Sequence, residues 1–161
     1  MDRIESGKEW LEQLLDAMSL DAEVNTEGFE TVTADSDSNW LNIDVSNLTP
    51  EQKDELIGNK GEGIDAIQYL ANTILNLNAD PEEQSSYVIE IDSYRVKRHQ
   101  ELATLTQEAI EKAKETGQEV EIPDLSSAER KQIHSLIENV EGLTSQSRGQ
   151  EPNRNLVVQP Q

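Results

Sequence analysis

Two helical patterns lie end to end within residues 50–77, joined only by Gly58-Asn59-Lys60-Gly61. A chain that stops one helix at a glycine and starts the next about four residues later must turn sharply, and glycine supplies the backbone freedom to do so. The first helix opens at Thr49-Pro50-Glu51-Gln52. Thr49 can cap it, Pro50 suits its first position, and Gln52 has the spacing of a capping box. The second is predicted over about 62–77. Its apolar stripe is Ile64, Ile67, Ala71, Ile74 and Leu75, and Asn78-Ala79-Asp80-Pro81 ends it.

The flanking residues extend the pattern on both sides. Trp10, Leu11, Leu14, Leu15 and Met18 recur at spacings of three and four, which predicts a helix over 5–18. Residues 21–33 are rich in Val and Thr and read as one weak strand, followed by a turn at 35–39. Leu41, Ile43 and Val45 alternate with polar residues in a strand over 40–45, and Tyr87, Ile89 and Ile91 do so over 87–92. The order is therefore helix, strand, strand, helix, glycine joint, helix, strand, an α+β unit of ordinary domain size. A long helix is predicted over 94–116, with Leu102, Leu105, Ala109, Ile110 and Ala113 as its stripe and Gly117 as its stop. A short strand at 119–122, a helix over 126–139 with a capping box at Ser126-Ser127-Ala128-Glu129, and strands at 143–147 and 156–159 complete the chain.

Three uses of the glycine joint are open on spacing alone. Gly58 can be a helix C-cap, with Gly61 and Gly63 as turn residues. Gly61-Glu62-Gly63-Ile64-Asp65-Ala66 also fits the G-x-G-x-x-A of dinucleotide sites. That fingerprint must follow a strand, however, and here it follows a helix. Third, a G-x-x-G turn between two helices lets the backbone approach a sugar-phosphate, aims the free N–H groups of the next helix at it, and adds Lys60 as a point charge. That is the arrangement of a KH domain, and the element order is its type II variant. In the second half, Arg130 and His134 stand four apart on one helical face. The pair reads either as ordinary surface residues or as a phosphate site, Arg supplying a planar fork and His a donor.

Charge argues against a nucleic-acid partner. The net charge is −20, and residues 1–94 carry 22 acidic and 4 basic side chains. Residues 95–161 carry 11 and 9. Such a field repels nucleic acid and anionic membranes, and serves either solubility or a basic partner. The chain has no cysteine, which excludes disulfides and thiolate metal sites. With only His99 and His134, and no G-x-S-x-G, P-loop or H-E-x-x-H, it offers little for catalysis. His99 reads as a surface residue. Neither a catalytic residue, a metal nor a cofactor is expected. No apolar run reaches membrane-span length, and residues 1–5 lack the pattern of a signal peptide, so a cytoplasmic protein is expected.

Three stretches carry a family resemblance: "LIGNKGEGIDAIQYLANTILN" at 56–76, "IDSYRVKRHQELATLTQEAIEKAKETGQEVEI" at 91–122 and "LSSAERKQIHSLIENVEGLTSQSRGQEPNRNLVV" at 125–158. The sequence closely resembles the bacterial Jag/KhpB family, also called SpoIIIJ-associated proteins, which join a type II KH domain to an R3H domain. The resemblance implies a KH domain over 1–93 and a small α+β R3H domain over 94–161, linked by the long helix. It implies binding of single-stranded RNA, with single-stranded DNA as a related ligand, and a post-transcriptional regulatory role. A small KH-only protein is an implied partner, and a homo-oligomer is compatible with it. By position, Gly58, Asn59, Lys60 and Gly61 match the clamp loop, and Arg130 and His134 match the pair that names the R3H domain. Lys131 is its basic neighbour, and Arg154 falls where the family has a basic residue. The loop has one basic residue where relatives commonly have two, and the separate N-terminal Jag domain of many relatives is not expected in these residues. With Lys60, Arg130, Lys131, Arg148 and Arg154 as the candidate phosphate contacts, unaided affinity is expected to be modest. The competing expectation is a protein-interaction adaptor on the same fold, binding a basic partner through its acidic surface.

Overall fold

A computed structural model describes residues 2–32 and 37–161. The chain divides into two compact units, Met1–Lys97 and Arg98–Gln161. The end of the strand expected at 21–33 and the first part of the turn at 35–39 lie outside the described residues.

In the first unit, α1 (Arg3–Ala17) is followed by β1 (Val24–Asn25), β2 (Asn39–Ile43), α2 (Pro50–Ile57), α3 (Glu62–Ile74) and β3 (Tyr87–Ile91). The sheet order is β1-β2-β3, with β1 antiparallel and β3 parallel to β2. The alternation in β2 and β3 is as read from sequence: Leu41, Ile43, Tyr87, Ile89 and Ile91 are all buried. They meet Leu11 and Leu15 of α1, Leu56 of α2, and Ile64, Ile67 and Ala71 of α3. Tyr87 is the largest member of this core, and Gly7 of α1 makes room for it. A Cβ on Gly7 would lie 2.6 Å from the Tyr87 ring. The Tyr87 hydroxyl donates to the Arg3 carbonyl at 2.9 Å, so the buried phenol is satisfied.

One expectation is overturned here. The strand predicted over 21–33 is only the two residues Val24–Asn25. Among the described residues of that stretch Val24 alone is buried, and Gly28 turns the chain with φ +81. Val and Thr content without a period-two buried face does not sustain a strand. The helix expected to reach residue 77 stops at Ile74, leaving Ile74 and Leu77 exposed.

A feature with no clear sequence signal seals the outer edge of β3. Gln68, Asn72 and Asn76 occupy successive turns of α3 or its continuation, and their side-chain amides substitute for a neighbouring strand. Asn72 accepts from Tyr87 N at 2.8 Å and donates to Tyr87 O at 2.9 Å. Asn76 does the same with Ser85, both bonds being 2.8 Å. Gln68 accepts from Ile89 N at 3.1 Å. An edge strand with open N–H and C=O groups is a template for foreign strands, and this ladder removes it.

The second unit takes most of α4 (Tyr94–Thr116), then β4 (Val120–Ile122), α5 (Ser127–Glu138), β5 (Leu143–Arg148) and β6 (Asn155–Pro160). The start of α4 is capped by Glu90, whose buried carboxylate accepts from the backbone N–H groups of Ile91, Arg95 and Val96. The second sheet is antiparallel with order β4-β6-β5. Leu102, Ala109 and Ala113 pack with Ile133 and Ile137 of α5 and with Leu143, Leu156 and Val158 of the sheet. The capping box of α5 forms as its sequence predicts. Its Glu129 also grips Arg98 through two oxygens, at 2.8 and 3.0 Å.

Replacing Asn72 by Ala leaves the Tyr87 N–H and carbonyl without partners. Chemical denaturation followed by tryptophan fluorescence should show a loss of about 2 kcal/mol or more from the first unit, which holds both tryptophans. A loss within about 0.5 kcal/mol, the usual range of a surface change, would mean that the amide ladder does not hold the edge.

Candidate nucleic-acid interface

The joint between α2 and α3 is built on three glycines, each for its own reason. Gly58 ends α2 with φ 74 and ψ −179, a region closed to other residues. A Cβ there would lie 2.5 Å from the Gly63 nitrogen. Gly61, buried and left-handed at φ 80, precedes α3, and a Cβ there would lie 2.8 Å from the Tyr94 hydroxyl. Gly63 lies so close to the Leu56 carbonyl that a Cβ would overlap it. Asn59–Gly61 form a single 3-10 turn in which Lys60 is itself left-handed, at φ 55. The glycines are therefore required by the fold before any ligand arrives.

An anion approaching the joint would meet the start of a helix. Gly61 offers α3 no side-chain cap, so the helix begins without a side-chain acceptor from its N-cap. Asn59 is exposed and Lys60 half-buried beside it. The opposing influence is local as well as global: Glu62 and Asp65 stand in the first turn of α3. They complement the helix dipole and compete with an incoming phosphate.

In the second unit, Arg130 and His134 sit one turn apart on α5, as their spacing predicts, but their surroundings differ. Arg130 is only 5 % exposed. Its Nη1 donates to the carbonyls of Leu125 at 2.8 Å and Arg154 at 3.1 Å, and its Nη2 pairs with Glu151. It thereby ties the start of α5 to the β5–β6 hairpin. His134 is half-buried. Its Nδ1 lies 2.6 Å from the Ser145 hydroxyl and its Nε2 3.2 Å from a Glu138 oxygen.

Arg130 and His134 line one cleft with Lys131, Arg154, Ser127 and Ser147. Lys131 and Arg154 are exposed and make no salt bridge among the described residues. Ser127 and Ser147 were not legible as site residues. The one available signal was period two along β5, which puts Ser147 on the same face as Ser145. Arg148, a candidate contact on sequence, is engaged elsewhere. It holds Glu119 through two bonds of 2.8 and 3.0 Å, which lowers the Glu119 carboxyl below its ordinary range and raises the Arg148 guanidinium. The other histidine, His99, is exposed on α4.

Residues 100–160 match the R3H domain family, and the cleft lies within the matched residues. Over most of its length the chain is similar to proteins named RNA-binding protein KhpB, and the resemblance to the Jag/KhpB family read from sequence is borne out. It is 29 % identical to the protein of Clostridium symbiosum over 153 residues, covering 93 % of this chain and 63 % of that one. It is 32 % identical to the Lactiplantibacillus plantarum protein over 128 residues, covering 79 % and 39 %. It is 29 % identical to that of Streptococcus pneumoniae serotype 2 over 150 residues, covering 92 % and 42 %. The chain thus spans between about two fifths and just under two thirds of the length of these relatives. Their names are those of binding proteins and not of enzymes, in line with the scarcity of catalytic residues. Among the described residues no helix is long and apolar enough to cross a membrane.

Gly63→Ala tests the close approach of the two helices without altering charge. Tryptophan-monitored unfolding should show a loss of about 1–3 kcal/mol, the usual cost of overpacking. Asn59→Ala, at an exposed position, should stay within about 0.5 kcal/mol of the parent. Equal stability of the two variants would contradict the tight joint.

Proposed function

We propose that this chain binds single-stranded RNA through both units and acts as a post-transcriptional regulator. The observation that carries this reading is the cleft of Lys131, Arg154, Arg130 and His134. It gathers cations at one place on a chain of net charge −20, inside the region matched to the R3H family. In a uniformly acidic protein kept soluble by its charge, nothing requires cations to converge. The relatives' common name, RNA-binding protein, supports the same ligand.

The roles divide by exposure. Lys131 and Arg154 reach solvent and meet phosphate directly, as point charge and planar fork. Arg130, held by two backbone carbonyls, shapes the cleft and presents only the Nη2 side of its guanidinium. Ser127 and Ser147 offer hydroxyls at the rim. In the first unit, read as a type II KH domain over residues 1–93, the backbone from Gly58 to Gly61 lies against the sugar-phosphate, with Lys60 as the local cation. Residues 94–161 are read as the R3H domain. With so few cations, binding is modest and strongly salt-dependent.

A second reading is favoured by one observation. Tyr69, Leu70, Ile74 and Leu77 lie along one side of α3 and its continuation, and all are exposed, Tyr69 and Leu77 to 70 % and 72 %. Acidic residues bracket them at Glu62 and Asp65 and at Asp80, Glu82 and Glu83. A second copy would set like charges against each other, whereas a partner with an apolar helix face and basic flanks, such as a small KH-only protein, would complement both features. On this reading the chain is an adaptor with weak RNA binding of its own.

Fluorescence anisotropy with a labelled single-stranded RNA across a salt series separates the two. On the first reading the whole chain binds, and Lys131→Ala and Arg154→Ala each flatten the log–log salt slope by about 0.7, one single-strand phosphate contact. Binding undetectable at low salt would overturn it and leave the adaptor.

A further inference from the structure

Arg130 is almost fully buried, and a buried guanidinium requires an anion and filled hydrogen bonds. Two of its bonds go to carbonyls that cannot leave, those of Leu125 and Arg154. The anion is Glu151, and it differs from the rest of this shell. Its side chain is 61 % exposed, while that of Arg130 is 6 % exposed. It sits in the turn between β5 and β6, where Asn153 N bonds to Gln150 O at 2.8 Å, and its carboxylate makes no other ion pair among the described residues. No carboxylate lines the cleft itself. Glu151, itself largely exposed, is joined to the cleft through its pair with the Nη2 of Arg130.

We propose that Glu151 is an internal stand-in for a phosphate. It holds the Nη2 of Arg130, a residue that lines the cleft, and it must swing out before an RNA phosphate takes its place there. Carboxylate and phosphate oxygens compete for the same guanidinium fork. A tethered competitor acts at an effective concentration in the millimolar range or above, so it suppresses weak anions and admits only those held by further contacts. Here those contacts are Lys131 and Arg154. Glu151 is thus a positioning residue that sets the affinity of the cleft. This rests on the RNA reading of the same cleft and adds the device that limits it.

The exchange has a consequence that a purely structural role lacks. When a phosphate binds a free cation, counterions leave the nucleic acid and the salt slope steepens. When it binds Arg130 by displacing Glu151, the released carboxylate regains its own counterions and the slope gains little. Removing the charge of Glu151 exposes the full effect.

The test is anisotropy of the whole chain with a 5′-labelled oligouridylate, comparing the parent, Glu151→Gln and Glu115→Gln. Glu115 is an exposed carboxylate on α4, so its loss controls for net charge alone. Glutamine at 151 preserves shape and one hydrogen-bonding oxygen, and thermal unfolding verifies that the hairpin survives. Glu151→Gln should bind roughly three- to tenfold more tightly, the scale of one charge-assisted contact, with a salt slope steeper by about 0.7. Glu115→Gln should change affinity by less than about twofold, as a screened surface charge does. If Glu151→Gln behaves as Glu115→Gln or binds more weakly while the parent binds RNA, Glu151 is only a prop of the hairpin and the proposal is wrong. If no protein binds at low salt, the RNA reading itself fails and this proposal fails with it. If only Glu151→Gln binds, both hold.

Discussion

The close approach of two backbones at Gly58 and Gly63 is the constraint on which the first unit depends. Both positions lack a Cβ where one would meet main-chain atoms of the opposite helix. That permits α3 to begin with only four residues between it and the end of α2, and it sets the direction in which α3 leaves. Leu56, Ile64, Ile67 and Ala71 then reach one core, while Gln68, Asn72 and Asn76 meet the edge of β3. Glycine here serves geometry first, and any contact with a ligand uses a turn that the fold already needed. For this reason substitutions at Gly58 or Gly61 confound stability with binding. Asn59 and Lys60 are the cleaner probes of the proposed clamp.

The second unit resolves a similar ambiguity in the opposite direction. An arginine and a histidine four residues apart on a helix look like two ligands side by side. Arg130 also bolts α5 to the β5–β6 hairpin, and His134 is held between Ser145 and Glu138. What they position is a cleft whose exposed cations are Lys131 and Arg154. An unpaired buried arginine would be costly, and Glu151 supplies its anion without closing the cleft with packed side chains. The cleft brings cations together on an acidic chain, and the surrounding charge would weaken an anion bound there and make it sensitive to salt.

Much of this was legible because local chemistry and tertiary packing agree. Thr49 with Gln52 and Ser126 with Glu129 announce two helices, and both capping boxes form. The alternation in β2 and β3 and most of the stripe on α4 find their core faces, because a period set by backbone geometry survives folding; Leu105 of that stripe is exposed. The failures have physical causes. Residues 21–33 have strand-like composition but no alternating face, so only Val24–Asn25 pair. Gln68, Asn72 and Asn76 look like an ordinary polar helix face, since nothing local says that a strand edge runs beside them. The burial of Arg130 depends on Glu151 and Arg154, more than twenty residues away, and the diversion of Arg148 depends on Glu119. Pairings of that range leave no trace in periodicity.

The proposed contact of RNA with both units is directly measurable. Titrating the isotopically labelled protein with a short single-stranded RNA, and following its backbone amide resonances, reads both units in one experiment. Saturable shifts should cluster at residues 59–64 and around the cleft, at 127–134 and 147–154, and should fade together as salt is raised. Shifts confined to 66–77, or no saturable shift at low salt, would contradict it.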